Sequence, residues 1–289
     1  MKKFFIITNP KKDPEFSVTR KVSEYLIEKG CRSNTSLFDD ASEKDNKLAY
    51  TDYSLVPKDT EAIIVIGGDG TLIHAAKDLI SLNIPLIGIN FGTLGYLAEI
   101  ESDSPDSVKK ALDALIDDNY SIENRMLLEA NVIRNGEVVY KDIALNDVVI
   151  NRTGTLNVMD FNVCVDNEFL NCYHADGVII STPTGSTGYN LSAGGPVAMP
   201  TAEIIMVTPV CAHTLNSRSI VFSADITIEI EVLKNEKDLR IKKIVACDAD
   251  NECQLMPGDK VVITKAGETV RVIKLHKTSF IELMGKKMR

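Results

Sequence analysis

The chain has 289 residues, with 32 Lys plus Arg against 41 Asp plus Glu, a net charge of −9 and a pI near 5.1. At roughly 150 residues per domain, that length predicts about two domains, and 44% apolar with 25% charged residues excludes disorder, a collagen-like chain and a small disulfide scaffold. The acidic balance argues against broad attraction to nucleic acid, so any polyphosphate must be held locally, by backbone N–H groups, helix N-termini, a few Lys or Arg, or a metal ion.

The apolar run at 4–7 is too short for a secretory segment and reads as a first strand. No stretch approaches the roughly 18 apolar residues of a membrane span, so neither a membrane nor nucleic acid is expected as a partner, and the cytoplasm is the expected compartment. Residues 16–29 carry apolar side chains at 18, 22, 25 and 26 before Gly30, an amphipathic helix with a glycine stop. The polar stretch 39–59 reads as an exposed loop.

Ala62–Ile66 is a continuous apolar run that ends in Gly67-Gly68-Asp69-Gly70-Thr71, and residues 72–80 follow with helical spacing. A second buried strand at 84–89 leads into another glycine-bearing turn, 90–96, which ends at Tyr96. Repeated strand–helix units predict a parallel sheet covered by helices.

From about residue 121 the period becomes strand-like. Asn135-Gly136 marks a two-residue hairpin between 127–134 and 137–140, and 226–232 alternates almost strictly. Pro257-Gly258-Asp259 marks a turn, with strands at 261–264 and 270–275, and 279–288 reads as a helix with a basic end. The six cysteines form no C-x-x-C pair and are expected to be reduced and buried. The histidines at 74, 174, 213 and 276 lack metal-site spacing, so no metal-ligating set is assigned.

Three segments carry chemistry. At the carboxyl end of a parallel strand, Gly67 to Thr71 lets backbone approach an anion at a helix N-terminus. Asp69 in its midst would repel phosphates unless it holds Mg²⁺ or takes a proton from an attacking hydroxyl, which suggests phosphoryl transfer; the alternative is a plain helix cap. The run 182–196, entered from a buried strand in the segment that opens at Asp176, is almost all small or hydroxyl-bearing and suits a large polar ligand. Asn146-Asp147, set in an apolar stretch, needs partners such as a ribose diol, or else lies at a strand end or bulge.

Together with 208–221, these segments resemble the NAD kinase family from about residue 60 to the C-terminus. The Gly-Gly-Asp-Gly-Thr motif is shared with lipid kinases, and phosphofructokinases carry a close relative of it; the run 182–196 is far more specific. The resemblance implies an α/β plus β fold: a Rossmann-like α/β domain (1–120), a β-rich, β-sandwich-like domain (121–268), and a C-terminal segment (269–289) returning to the first, with the active site between the two domains. It implies transfer of a phosphoryl group from ATP or polyphosphate to the 2′-hydroxyl of the adenosine ribose of NAD, giving NADP, with Mg²⁺ or another divalent metal. Carried over, Asp69 is the general base, and Gly68, Gly70 and Thr71 hold donor phosphates and metal. Asn146 and Asp147 bind ribose hydroxyls, Asp176 contacts the nicotinamide nucleoside, and Thr184, Thr187, Gly188, Tyr189 and Ser192 line the dinucleotide pocket. Tyr96 matches an aromatic position near the adenine, and a homodimer or homotetramer is implied.

Two positions depart from the family pattern. His174 stands where many members have Arg or Lys, which makes any phosphate contact weaker and pH-dependent. The nearest match to an Asp-Gly turn is Asp250-Asn251, with Asn able to supply the left-handed conformation. His213 reads as a packed residue of an apolar segment. Against the NAD kinase resemblance stand a lipid or sugar kinase sharing only the glycine turn, and a dinucleotide-binding regulator without turnover.

Overall fold

The structure, a computed structural model, describes residues 1–37, 42–44, 47–90, 95–98, 100–101, 105–154, 157–213, 217–234, 241–275 and 279–287. Two compact units divide the chain: Met1–Asn124 with Val270–Arg289, and Arg125–Thr269.

The first unit is α/β. Its parallel strands run Arg32–Leu37, Lys3–Thr8, Ala62–Ile66 and Leu86–Asn90 across the sheet, and the end of Lys260–Lys274 pairs parallel to the last of these at Val272. Both faces are apolar because both are covered. Phe4, Ile6, Ile64, Ile87 and Ile89 pack on Val22 and Leu26 of helix Ser17–Glu28 and on Leu112 and Leu115 of helix Pro105–Ile116. On the alternate face Gly88 lets Leu72 of helix Asp69–Asp78 approach so closely that a Cβ there would stand 2.7 Å from its Cδ1. Burying a Leu or Ile contributes roughly 1.5–3 kcal/mol each, so these two covered faces anchor the turns at the strand ends.

The second unit is a β-sandwich. One sheet runs Ile220–Ser223, Ile204–Val210, Gly177–Ser181, Asp147–Thr153, Lys242–Cys247 and Asp250–Leu255, all antiparallel. The facing layer includes Glu168–Ala175, Met159–Val165, Ile228–Val232, the first half of Lys260–Lys274, and the hairpin Ser121–Arg134 with Glu137–Ala144. One core, with Leu128, Phe161, Ile230 and Ile263 on one side and Ile150, Ile180, Ile205 and Val245 on the other, fills the space between the layers. Asn135 (φ 52) and Gly136 (φ 86) make the expected hairpin turn.

Several expectations change. The stretch 39–59 is not a plain loop: Ser42–Lys44 and Lys47–Ala49 pair antiparallel, and Thr51 and Val56 are buried, while 39–41, 45 and 46 lie outside the described residues. The two strands at 261–264 and 270–275 are one, Lys260–Lys274. Helix Asp69–Asp78 begins three residues earlier than its apolar spacing, because the glycine turn itself starts it. Asn251 takes the left-handed conformation expected of it (φ 49), and the hairpin turn just before it is Asp248-Ala249 (φ 54 and 63), flanked by the pair Cys247 and Asp250. Cys31 and Cys247 are buried as expected, but Cys172 and Cys211 are exposed and Cys164 and Cys253 half-buried, all six being free. The C-terminal helix is Phe280–Lys287, with 276–278, 288 and 289 outside the described residues. Among the described residues no helix is long and apolar enough to cross a membrane.

Candidate active site

In the α/β unit, strand Ala62–Ile66 ends where the sheet's carboxyl edge meets helix Asp69–Asp78. The helix is capped by Gly68, which has no side chain to accept its first N–H groups. Gly68 and Gly70 are open: a Cβ at 68 would find only Asn90 Oδ1 at 3.9 Å, and one at 70 would find nothing within 4 Å. A helix N-terminus with this clearance is a cradle for phosphate.

Asp69 does not cap its own helix. Its carboxylate instead accepts three consecutive backbone N–H groups, from Tyr96 to Oδ2 (2.8 Å) and from Leu97 and Ala98 to Oδ1 (3.3 and 3.2 Å). Gly95 is what permits this: a Cβ there would lie 1.9 Å from Asp69 Oδ1. A carboxylate offers about four lone-pair positions, so one remains on Oδ2 for a further donor. Thr71 is buried, and its Oγ1 accepts from Asn9 Nδ2 at 2.9 Å. Asn9, which the sequence reading missed, thereby ties the glycine turn to the exit of the first strand. Residues 91–94 of the second glycine turn lie outside the described residues. Tyr96 has Lys287 Nζ 4.4 Å from its ring centroid and the Phe280 ring 6.3 Å away.

In the β-rich unit, Asn146 ends the connection from Glu137–Ala144, and Asp147 opens the next strand. The strand-end placement is therefore correct, yet it leaves Asn146 Oδ1 buried with no hydrogen-bond partner. Asp248 holds this connection: its carboxylate accepts from the N–H groups of Leu145 (2.8 Å), Asn146 (2.7 Å) and Asp147 (3.2 Å), and its own N–H donates to Asp147 O at 3.0 Å. Sequence reasoning missed Asp248, which lies a hundred residues along the chain from the main chain it grips.

The run 182–196 folds against the same connection. Thr182 donates from N to Asn146 O (2.8 Å) and from Oγ1 to Leu145 O (2.6 Å). Gly185 sits so close that a Cβ would stand 2.1 Å from Asn146 O, and a Cβ at Gly188 would be 3.6 Å from Asn146 Nδ2 and 4.0 Å from Asp147 Oδ2. Asn190 is fully buried and bonded to Pro196 O and Thr208 Oγ1. Far from a flexible linker, the segment is a packed platform. Thr184 Oγ1 is buried without a partner, Thr187 Oγ1 donates to Thr184 O at 3.4 Å, and Ser192 is exposed. Burial raises the pKa of the 41% exposed Tyr189 phenol, with Cys211, Asp147 and Asp176 adding to the effect, so it stays a neutral donor.

Asp176 is already engaged, by Arg152 Nε at 2.7 Å. His174 Nδ1 is hydrogen-bonded to Asp160, and the His213 ring stands edge-on 5.6 Å away. His213 is exposed rather than packed, because its segment leaves the strand at Val210. Each unit thus gathers its own predicted residues: Gly68, Asp69, Gly70, Thr71 and Tyr96 in one; Asn146, Asp147, Thr184, Gly188 and Tyr189 in the other, with Asp176 beside Tyr189.

Comparison with known proteins gives a consistent result. A model described as the ATP-NAD kinase N-terminal domain matches residues 4–120, and one described as the ATP-NAD kinase C-terminal domain matches 145–275. A protein named NAD kinase from Lachnospira eligens is 44% identical over the whole of both chains, and one from Thermoanaerobacter sp. (strain X514) is 37% identical over 100% of this chain and 99% of its own. Among solved structures, yeast NADH kinase complexed with NADH has a TM-score of 0.80 at 21% identity, covering 99% of this chain and 87% of that one. An NAD kinase from Archaeoglobus fulgidus in complex with ATP has a TM-score of 0.74 at 23% identity, covering 98% of each. At these identities the two structures speak to the fold alone.

Proposed function

The chain belongs to the NAD kinase family, and from that premise we propose that it moves the terminal phosphoryl of ATP onto the 2′-hydroxyl of the adenosine ribose of NAD, with Asp69 as the general base. The observation that carries this reading is one turn that combines a carboxylate keeping an open lone-pair position with glycines that leave room around a helix N-terminus.

The β-rich unit supplies the acceptor side. Asn146 Oδ1 and Thr184 Oγ1 are buried without partners, and such atoms cost roughly 1–3 kcal/mol each unless a ligand satisfies them. Ribose hydroxyls and amide groups of the dinucleotide are suitable partners, with Asp147, Thr187, Gly188, Tyr189, Ser192 and Asp176 around them. On the donor side Gly68 and Gly70 give the phosphates backbone access, and the Tyr96 ring supports the adenine. Thr71, whose oxygen accepts from Asn9, keeps its hydroxyl proton and a second lone pair for donor phosphates and metal. His174, shared with Asp160, gives a weaker phosphate contact than Arg or Lys would.

The chemistry balances simply. Asp69 accepts the proton of the 2′-hydroxyl as its oxygen bonds to the γ-phosphorus, and the bond to ADP breaks with its electron pair leaving on the β-phosphate oxygen. Among the described residues no cluster of three His, Cys, Asp or Glu could hold a metal ion alone. The donor set fits Mg²⁺, which keeps several waters and takes one or two carboxylates plus phosphate oxygens. Held by triphosphate oxygens and waters at the turn 68–71, the ion would neutralise triphosphate charge and leave the open position of Asp69 to the proton. We also propose a cytoplasmic homodimer or homotetramer, the compartment being in keeping with six free thiols.

The test is NADP formation from NAD, ATP and Mg²⁺ by the wild type and by Asp69→Asn. The variant should lose about 10²–10⁴-fold in rate while binding NAD with little change. A wild type that makes no NADP with ATP or polyphosphate refutes the substrate assignment, and a variant within tenfold of wild type removes the base.

A further inference from the structure

A sharp main-chain grip needs a reason, and the one around residues 145–147 is unusually complete. Three consecutive N–H groups converge on Asp248, while the carbonyls of Leu145 and Asn146 accept from Thr182. Every main-chain polar group the connection could use for sliding is taken. Asp248 does this from a two-residue hairpin turn in which both residues, Asp248 and Ala249, hold positive φ. Ala has no side chain to favour that conformation, so the turn is held there by its surroundings. Strain of this sort persists where it fixes something else.

What it fixes is the pair Asn146 and Asp147, one with a buried, unpartnered Oδ1 and the other 6% exposed. We propose that Asp248 is a positioning residue for the acceptor ribose: through the backbone of 145–147 it presents the Asn146 and Asp147 side chains in the orientation that recognises the ribose hydroxyls of NAD. The proposal rests on the assignment of NAD as acceptor made above. Asp248 touches no substrate; it acts through the connection it grips. A carboxylate is needed because two of the three N–H groups share Oδ1 and the third goes to Oδ2, so both oxygens must accept. An amide in its place would turn an N–H toward the Leu145 N–H, losing one bond and adding a repulsion.

The experiment is steady-state kinetics on wild type, Asp248→Asn and Asp248→Ala, with NAD and ATP varied separately and direct calorimetric titration with NAD. The KM for NAD should rise about tenfold in the Asn variant and more in the Ala variant, the calorimetric Kd following, while the KM for ATP stays within twofold. A purely structural role would move both KM values together, or lower only the melting temperature, and either result overturns the proposal. So does an NAD KM within twofold of wild type in both variants. If Asp248→Ala fails to fold, Asp248→Asn, which keeps an oxygen for Asn146 and Asp147, decides alone. A wild type without NADP-forming activity would instead refute the acceptor assignment, and the two failures are separate observations.

Discussion

Asp69 in the α/β unit and Asp248 in the β-rich unit treat the main chain alike: each carboxylate collects three consecutive backbone N–H groups from a distant segment, 96–98 in one case and 145–147 in the other. Their settings differ. Asp69 starts a ten-residue helix between glycines that face open space, whereas Asp248 sits in a tight turn at positive φ. Two of Asp69's three bonds are longer than 3 Å, while two of Asp248's are shorter than 2.9 Å. The same device thus stands in two settings: the more loosely held carboxylate lies beside an open glycine cradle, as the base role proposed for it requires, and the more tightly held one belongs to the turn that grips residues 145–147.

Glycines next to each grip offer the largest perturbation. Gly95→Ala would drive a Cβ to 1.9 Å from Asp69 Oδ1, and Gly185→Ala one to 2.1 Å from Asn146 O. In the first the obstacle is a side chain that can swing away, so the fold should survive with rate lost at least tenfold. In the second it is backbone, so stability should fall by about 1–3 kcal/mol as well. Thermal melts beside NADP assays separate the two, and a Gly185→Ala protein as stable as wild type would break the contrast. Gly68→Ala and Gly70→Ala meet no protein atom that must move. They should melt like wild type and raise only the KM for ATP, by several-fold; a changed KM for NAD would remove the donor role from these glycines.

How much of this was written in the sequence follows from where the partners lie along the chain. Strand Ala62–Ile66, its glycine turn and the following helix are contiguous, so their role was legible from spacing alone; so was the Asn135-Gly136 hairpin. Nothing local announces that Asp248 grips residues about a hundred positions earlier, or that Asn9 reaches Thr71. Asn251 could be read as left-handed from its residue type, but the turn before it pairs Asp248 with an alanine that no turn preference would choose. The strands read at 261–264 and 270–275 are one, Lys260–Lys274, with Gly267 in open space between them. Exposed His213 was hidden by apolar neighbours that belong to the strand before it.

The alanine itself is a smaller test of the same contrast. With φ 63, Ala249 holds a left-handed conformation that glycine takes freely. Ala249→Gly should raise stability by about 1 kcal/mol, seen as a higher melting temperature. No gain would mean that the grip on 145–147 relieves the turn's strain completely.

The smallest effect concerns two further carboxylates of the α/β unit that also accept backbone N–H groups. Burial would raise the pKa of Asp13, but hydrogen bonds from Thr19, Val18 and Ser17 outweigh it and the net shift is downward. For Asp78 burial wins: its pKa is raised despite N–H bonds from Tyr50 and Thr51. The signs of their pH dependence must therefore oppose. Asp13, depressed in the folded state, contributes stability that is present above the unfolded pKa of about 3.9 and is lost as pH falls through the lower folded value. Asp78, raised in the folded state, costs stability at neutral pH, and that cost disappears as pH falls from its folded pKa through the unfolded one. Asp13→Asn should then melt below wild type near neutral pH and Asp78→Asn above it, the Asp78 gap closing as pH falls to the unfolded pKa of about 3.9 and the Asp13 gap only below it. Equal signs in the two melting series would mean that donor count alone fixes a carboxylate's contribution. Opposite signs would extend to stability what Asp69 and Asp248 display in geometry, that the surroundings of the carboxylate decide what its hydrogen bonds achieve.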